Sequence, residues 1–173
     1  MGSHATRGFG LGAATVALLA LSCIQSRAEE KNTPALAAAM KEVPATVEQG
    51  LMSAAKSGRP ISAKFEMDGD EAQLSVYVER NDGFREITIN PHSGSAVGAT
   101  MITEGDDLKD AREQSAAMAN AKTTLLTSAQ HAVSASPGAR VVSVFPELQN
   151  GQPVAIVTLL RGDNFTKVTE ELD

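Results

Sequence analysis

Apolar and polar residues alternate over three stretches in the first half of the chain. Ile61, Ala63, Phe65 and Met67 alternate with Ser62, Lys64 and Glu66, and Leu74, Val76 and Val78 repeat the period. Phe84, Ile87 and Ile89 fall in a third stretch. A period of two puts successive side chains on opposite faces, so the pattern predicts three half-buried strands. Asp68-Gly69-Asp70 and Asn81-Asp82-Gly83 supply the turns between them, and Asn90-Pro91-His92-Ser93-Gly94 stops the third. Ahead of the strands, Val47, Leu51, Met52 and Ala55 recur at helical spacing. Pro44 suits the first turn of that helix, and Ser57-Gly58-Arg59-Pro60 ends it. The Gly-rich run Gly94-Ser95-Ala96-Val97-Gly98-Ala99 reads as a loop.

The same order returns downstream. Leu125, Leu126, Ala129, Ala132 and Val133 form a helical stripe closed by Ser136-Pro137-Gly138. A strand begins at Val142 and Val144, Asn150-Gly151 turns the chain, and Val154 to Leu160 form a nearly continuous apolar strand. Gly162-Asp163-Asn164 turns it again, and Phe165 to Leu172 make the last strand. Laid on itself at an offset of 81 residues, the chain matches without a gap. Arg59 meets Arg140, Ser62 meets Ser143, Glu66 meets Glu147, Val76 meets Val157 and Phe84 meets Phe165, while Lys41, Gln49 and Ser53 meet Lys122, Gln130 and Ser134. The reading is a duplicated unit.

The expected fold is therefore α+β, with two repeated units, each a helix packed on a three-stranded antiparallel meander. The units run over 29–103 and 120–173. Residues 104–119, rich in Ala, Glu, Lys and Met, predict a helical connector between them, started by Asp106-Asp107. A short helix from Thr33-Pro34 through Met40 is also expected.

Residues 1–28 carry a different pattern. Arg7 precedes an apolar run through Leu11, Val16, Leu18 and Leu19, and Ser26-Arg27-Ala28 offers small residues at the two places signal peptidase reads. The run is shorter than the ~20 residues a membrane span needs. An exported, periplasmic or secreted protein is expected. Cys23 is the one cysteine and falls in this leader. Acylation at Cys23 is the less favoured reading, because Ala20-Leu21-Ser22 fits a lipoprotein signal poorly. Loss of Cys23 leaves a chain without thiol chemistry.

Removing Arg7 and Arg27 leaves 13 basic residues against 21 acidic ones, a net charge of −8. Such a surface repels nucleic acid and anionic lipid, so neither is an expected partner. Aromatic residues make up 3% of the chain and there is no Trp, so small aliphatic side chains must fill the core.

No catalytic or metal-ligating constellation emerges. His92 and His131 lie in a turn and on a helix, with no second His or Cys at ligand spacing. The serines lack a nucleophile elbow. Asp68, Asp70 and Glu71 crowd a hairpin turn, and Glu104, Asp106 and Asp107 crowd a helix start, without the calcium-loop pattern. Acids at a helix start are stabilising there without a ligand. Arg161-Gly162-Asp163 spells an adhesion tripeptide, but a tight hairpin requires such residues anyway. No cofactor is implied, and the chain is not expected to be an enzyme.

The order of helix and three strands, the Ser136-Pro137-Gly138 break, the strand Arg140-Val141-Val142-Ser143-Val144 and the turn Asn150-Gly151-Gln152-Pro153-Val154 together resemble the PepSY domain. The first unit supplies a closing turn through Asn90 to Gly94, whereas the second reaches Asp173 without a following Gly. The resemblance implies a small noncatalytic exported module. PepSY relatives occur in propeptides of thermolysin-like metalloproteases, so it also implies inhibition or regulation of an envelope or secreted protease. No protease domain lies in this sequence, so that action would fall on a separate partner. An exposed strand edge or the outer sheet face, with Lys64, Glu66, Tyr77, Glu79 and Arg85 as candidates, would receive a protein or peptide. The alternative expectation is a periplasmic small-ligand or cation-binding protein, with its site in the acidic turns or in a groove between the units. Mass spectrometry of the exported protein should find its N-terminus at Glu29; an N-terminus at Cys23 would establish the acylated form instead.

Overall fold

The computed structural model describes residues 34–173; the leader and Cys23 lie outside them. In chain order the elements are α1 (Pro34–Lys41), α2 (Val47–Ala54), β1 (Arg59–Asp68), β2 (Glu71–Arg80), β3 (Gly83–Ile89) and β4 (Ala96–Ile102). There follow α3 (Gly105–Ala119), α4 (Leu125–Ala135), β5 (Arg140–Gln149), β6 (Gln152–Arg161) and β7 (Asn164–Glu171).

The strands form one seven-stranded antiparallel sheet in the order β4-β3-β2-β1-β5-β6-β7. The two expected meanders are thus parts of one sheet, and only the second half keeps to three strands. β1 and β5 pair at Ala63–Val144 and Lys64–Ser143, joining the halves at the centre of the sheet. The first half also has a fourth strand. Ala96–Ile102, expected as a loop, returns antiparallel along β3 with Ile87 opposite Ala99 and Arg85 opposite Met101. The reversal is built by Asn90, whose Oδ1 accepts the N–H groups of His92 and Ser93 while its own N–H donates to Ser95 O. Small residues such as Gly98 and Ala99 have weak strand preference, and the open edge of β3 overrides it.

Helix α2 begins later than Pro44 suggests. Thr46 Oγ1 accepts the Gln49 N–H, and Gln49 Oε1 accepts the Thr46 N–H, a reciprocal cap that fixes the start at Val47. Its Gly50 lies against the sheet: a Cβ there would come within 2.8 Å of Leu74 Cδ2. Thr124 caps α4 in a similar way through the Thr127 N–H. Helices α2 and α4 lie side by side on one face of the sheet, over Ala63, Phe65, Leu74, Val76, Ile87, Val144 and Val157, all buried. Helix α3 lies on the opposite face, where Gln114 accepts a hydrogen bond from the buried Ser62 at 2.6 Å. The middle of the sheet is thus covered on both sides, which is why β6 reads as a nearly unbroken apolar run.

Both central strands carry an irregularity in register, at Ile61 in β1 and at Val142 in β5. Just before each stands an arginine that reaches a distant helix end. Arg59 Nη1 donates to Met118 O at the end of α3, at 2.9 Å. Arg140 donates to Met40 O at the end of α1, and to Val43 O and Ala45 O at 2.8 Å each. Each guanidinium thus ties a central strand to the end of a distant helix; Met118 O also accepts the Ala121 N–H at 3.3 Å, so Arg59 adds a second donor there. Burial lowers the pKa of Arg140, with the Glu48 carboxylate opposing that shift. Replacing Arg140 by Ala is expected to cost about 2 kcal/mol or more, since it removes a charged donor from three carbonyls. Arg140→Lys should recover only part of this, because an ammonium is a compact point donor without the planar fork that reaches Met40 O, Val43 O and Ala45 O together. Urea denaturation of the three proteins checks both statements.

Candidate partner-binding surfaces

Of the residues singled out for a binding surface, the sheet gathers four and separates one. Tyr77 is opposite Ser62, Ser75 opposite Lys64 and Gln73 opposite Glu66, so Lys64, Glu66, Tyr77 and Glu79 share the face on which α3 lies. Arg85 pairs with Val78 and therefore belongs to the other face, where it forks onto Asp82 at 2.8 and 3.1 Å. The parity of the strand decides this, because Arg85 is one residue out of step with Glu86.

The gathered side chains are largely occupied with one another. Lys64 pairs with Glu66 and lies 5.8 Å from the centre of the Tyr77 ring. Ser75 Oγ donates to Glu86 at 2.6 Å and accepts from Gln73 at 3.1 Å. Arg59 pairs with Glu79, and its hydrogen bond holds that carboxyl below the usual range. Burial pushes the Tyr77 phenol up, against the opposing effect of Lys64. This is a satisfied polar layer, which stabilises the sheet without needing a ligand.

Two concavities adjoin the central strands. One, of about 310 Å³, lies between α3 and the sheet, lined by Lys64, Tyr77, Phe145, Asp106, Asp110 and Gln114. Burial raises the Asp110 pKa, and the neighbouring Glu113 adds to the effect. The other, of about 440 Å³, is a groove between α2 and the start of α4. Leu51, Met52, Pro60, Met118, Leu125 and Leu126 give it apolar walls.

The two edges of the sheet differ. β7 carries Lys167, Glu170 and Glu171, and charges on an edge discourage further pairing. β4 reads Ala-Val-Gly-Ala-Thr-Met-Ile, with no charge and no proline, and Val97 and Met101 are 64% and 50% exposed. Among the described residues nothing pairs with its outer edge. The sequence reading missed β4; the signal available was the alternation of Val97, Ala99 and Met101 with Gly98 and Thr100.

The remaining candidates are dispersed. His92 is exposed in the turn after β3, whereas His131 on α4 contacts Glu170 of β7. Asp68, Asp70 and Glu71 are exposed at the β1–β2 turn. Glu104 precedes α3, and Asp106 and Asp107 occupy its first turn, at the positive end of the helix dipole. Asp163 of the Arg-Gly-Asp turn pairs with Lys41 at 2.7 Å. Among the described residues no group of three or more His, Cys, Asp or Glu is placed to hold a metal ion. Nor is any helix among them long and apolar enough to cross a membrane.

No protein-family model matches the chain, and no curated protein sequence matches it. A solved structure that it resembles, described as a putative lipoprotein from Clostridium difficile 630, is 11% identical over 69% of this chain and 78% of that one, with a TM-score of 0.40.

The raised pKa of Asp110 has a definite sign. A carboxyl whose folded pKa exceeds its unfolded value contributes stability at low pH that is lost as the pH rises through the folded value. Asp110→Asn should therefore raise stability at pH 7 and leave it nearly unchanged at pH 3, as measured by urea midpoints at the two pH values.

Proposed function

We propose that this chain is an exported, noncatalytic binding protein that takes its partner as an extended segment added to the free edge of β4. The observation that carries this reading is the contrast between the edges: seven uncharged residues on β4, six of them exposed, against three charges on β7. A bare edge presents a row of N–H and C=O groups that template another strand, and proteins that do not use such an edge protect it. Strand addition needs no reactive side chain, in keeping with a sequence from which no nucleophile, base and orienting group can be assembled.

Two further parts of the reading rest on sequence. The PepSY-like order of elements supports a module that inhibits or regulates an envelope or secreted protease. A duplicated ancestry is supported by the 81-residue offset, by the bulges at Ile61 and Val142, which stand the same distance apart, and by the parallel roles of Arg59 and Arg140. The leader-like residues 1–28 support a periplasmic or secreted location.

The test is capture from envelope extract by the wild-type protein and by a Val97→Lys/Met101→Lys variant that restores edge charges. A protein held by the wild type and lost by the variant, with slowed hydrogen exchange at 96–102 in the purified complex, is the expected result. A partner retained equally by both proteins, with protection elsewhere, would overturn the edge assignment. A specific partner that proves to be a protease, whose activity falls on addition of the wild type alone, would extend the reading to inhibition.

A further inference from the structure

The groove between α2 and α4 has a charge character opposite to that of the chain. The sequence carries 21 acidic residues against 15 basic ones, yet the charged residues lining this groove are both cations, Arg59 and Lys122. The cavity under α3 has the opposite excess, with Asp106, Asp107 and Asp110 against Lys64 on its wall. Arg59 is engaged with Glu79 and Met118 O, but Lys122 makes no ion pair among the described residues. The backbone N–H groups of Lys122 and Thr123 both donate to Leu172 O, which anchors the segment that bears this ammonium group.

Below the cationic rim the groove is apolar. Leu51 and Leu125 form buried parts of its lining, Leu126 is half-buried, and Met52 stands 51% exposed. A volume of about 440 Å³ falls in the ordinary range for small-molecule sites. Methionine adapts its shape to irregular apolar ligands. We infer that this groove binds an amphiphile with one alkyl chain and one anionic head, the chain lying between α2 and α4 and the head meeting Lys122. A free carboxylate and the phosphate of a lysolipid share this chemistry. The site is separate from the β4 edge, so the inference stands or falls independently of the strand-addition reading.

The experiment is titration of the purified full chain, observed by ¹H–¹⁵N NMR, with decanoate, with a lysophosphatidic acid, and with decyltrimethylammonium, each below its micelle concentration. The readout is the amide shifts of Leu51, Met118, Lys122 and Leu126, which excludes any contribution from the apolar leader. Saturable shifts there with one or both anions, and at least about tenfold weaker binding of the cationic amphiphile, are expected from a charge contact at the groove rim. Lys122→Glu should remove that preference while leaving the rest of the spectrum in place. Stronger binding of the lysolipid would identify a lipid headgroup as the source, and stronger binding of decanoate a free acid. Equal binding of anion and cation, an unchanged preference in Lys122→Glu, or shifts confined to other residues would overturn the assignment.

Discussion

The joint between β1 and β5 is the contact on which the rest of the molecule depends. Its register holds two residue pairs, Ala63–Val144 and Lys64–Ser143, in contrast to the long ladders within each half. So short a ladder contributes little on its own, and the layers on either side must hold the halves in line. On one face α2 and α4 pack against each other above the joint, burying Leu51, Ala54, Leu125 and Ala129. On the other, α3 crosses from β5 to β1 and is tied there by the Ser62–Gln114 hydrogen bond and by Arg59. Arg140 makes the converse link, from β5 to the end of α1 and the segment leading into α2. Each half therefore holds the end of a helix that precedes the other half's strands. Breaking either arginine's contacts removes a charged donor from carbonyls across the joint, and that penalty makes the docking specific rather than merely hydrophobic.

Joining the sheets at the centre also determines where binding surfaces remain. The middle strands are covered on both faces, so the polar residues there, Ser62, Ser143 and Thr158, are buried. What stays accessible is peripheral: the two outer edges, the seam where α2 meets α4, and the space under the start of α3. These places differ in chemistry. β4 offers uncharged backbone, the α2–α4 seam offers an apolar trough with cations at its rim, and the α3 cavity is acidic.

The lower part of the fold was legible in the residues themselves. Alternation in Ile61–Met67, Leu74–Val78 and Val154–Leu160, the Gly and Asn turns between them, and the helical stripe of Leu125 to Val133 mark elements of mixed α+β type, because local period and turn chemistry act over a few residues. Strand parity sets Lys64 with Glu66, Tyr77 with Glu79, and Arg85 with the buried Ile87 and Ile89; which of these share a face is decided by how the strands pair. The binding surfaces were less legible. β4 lacks the β-branched and aromatic residues that announce a strand, and it becomes one because an open edge is already present beside it. The groove at Lys122 is assembled from three helices and a strand end far apart in the chain, so no window of sequence contains it. The sequence by itself determined the elements other than β4, their class and the excess of acid. Tertiary structure decided that the two halves share one sheet, which edge is left bare, and where cations gather, because each of these depends on contacts between residues brought together only when the halves dock.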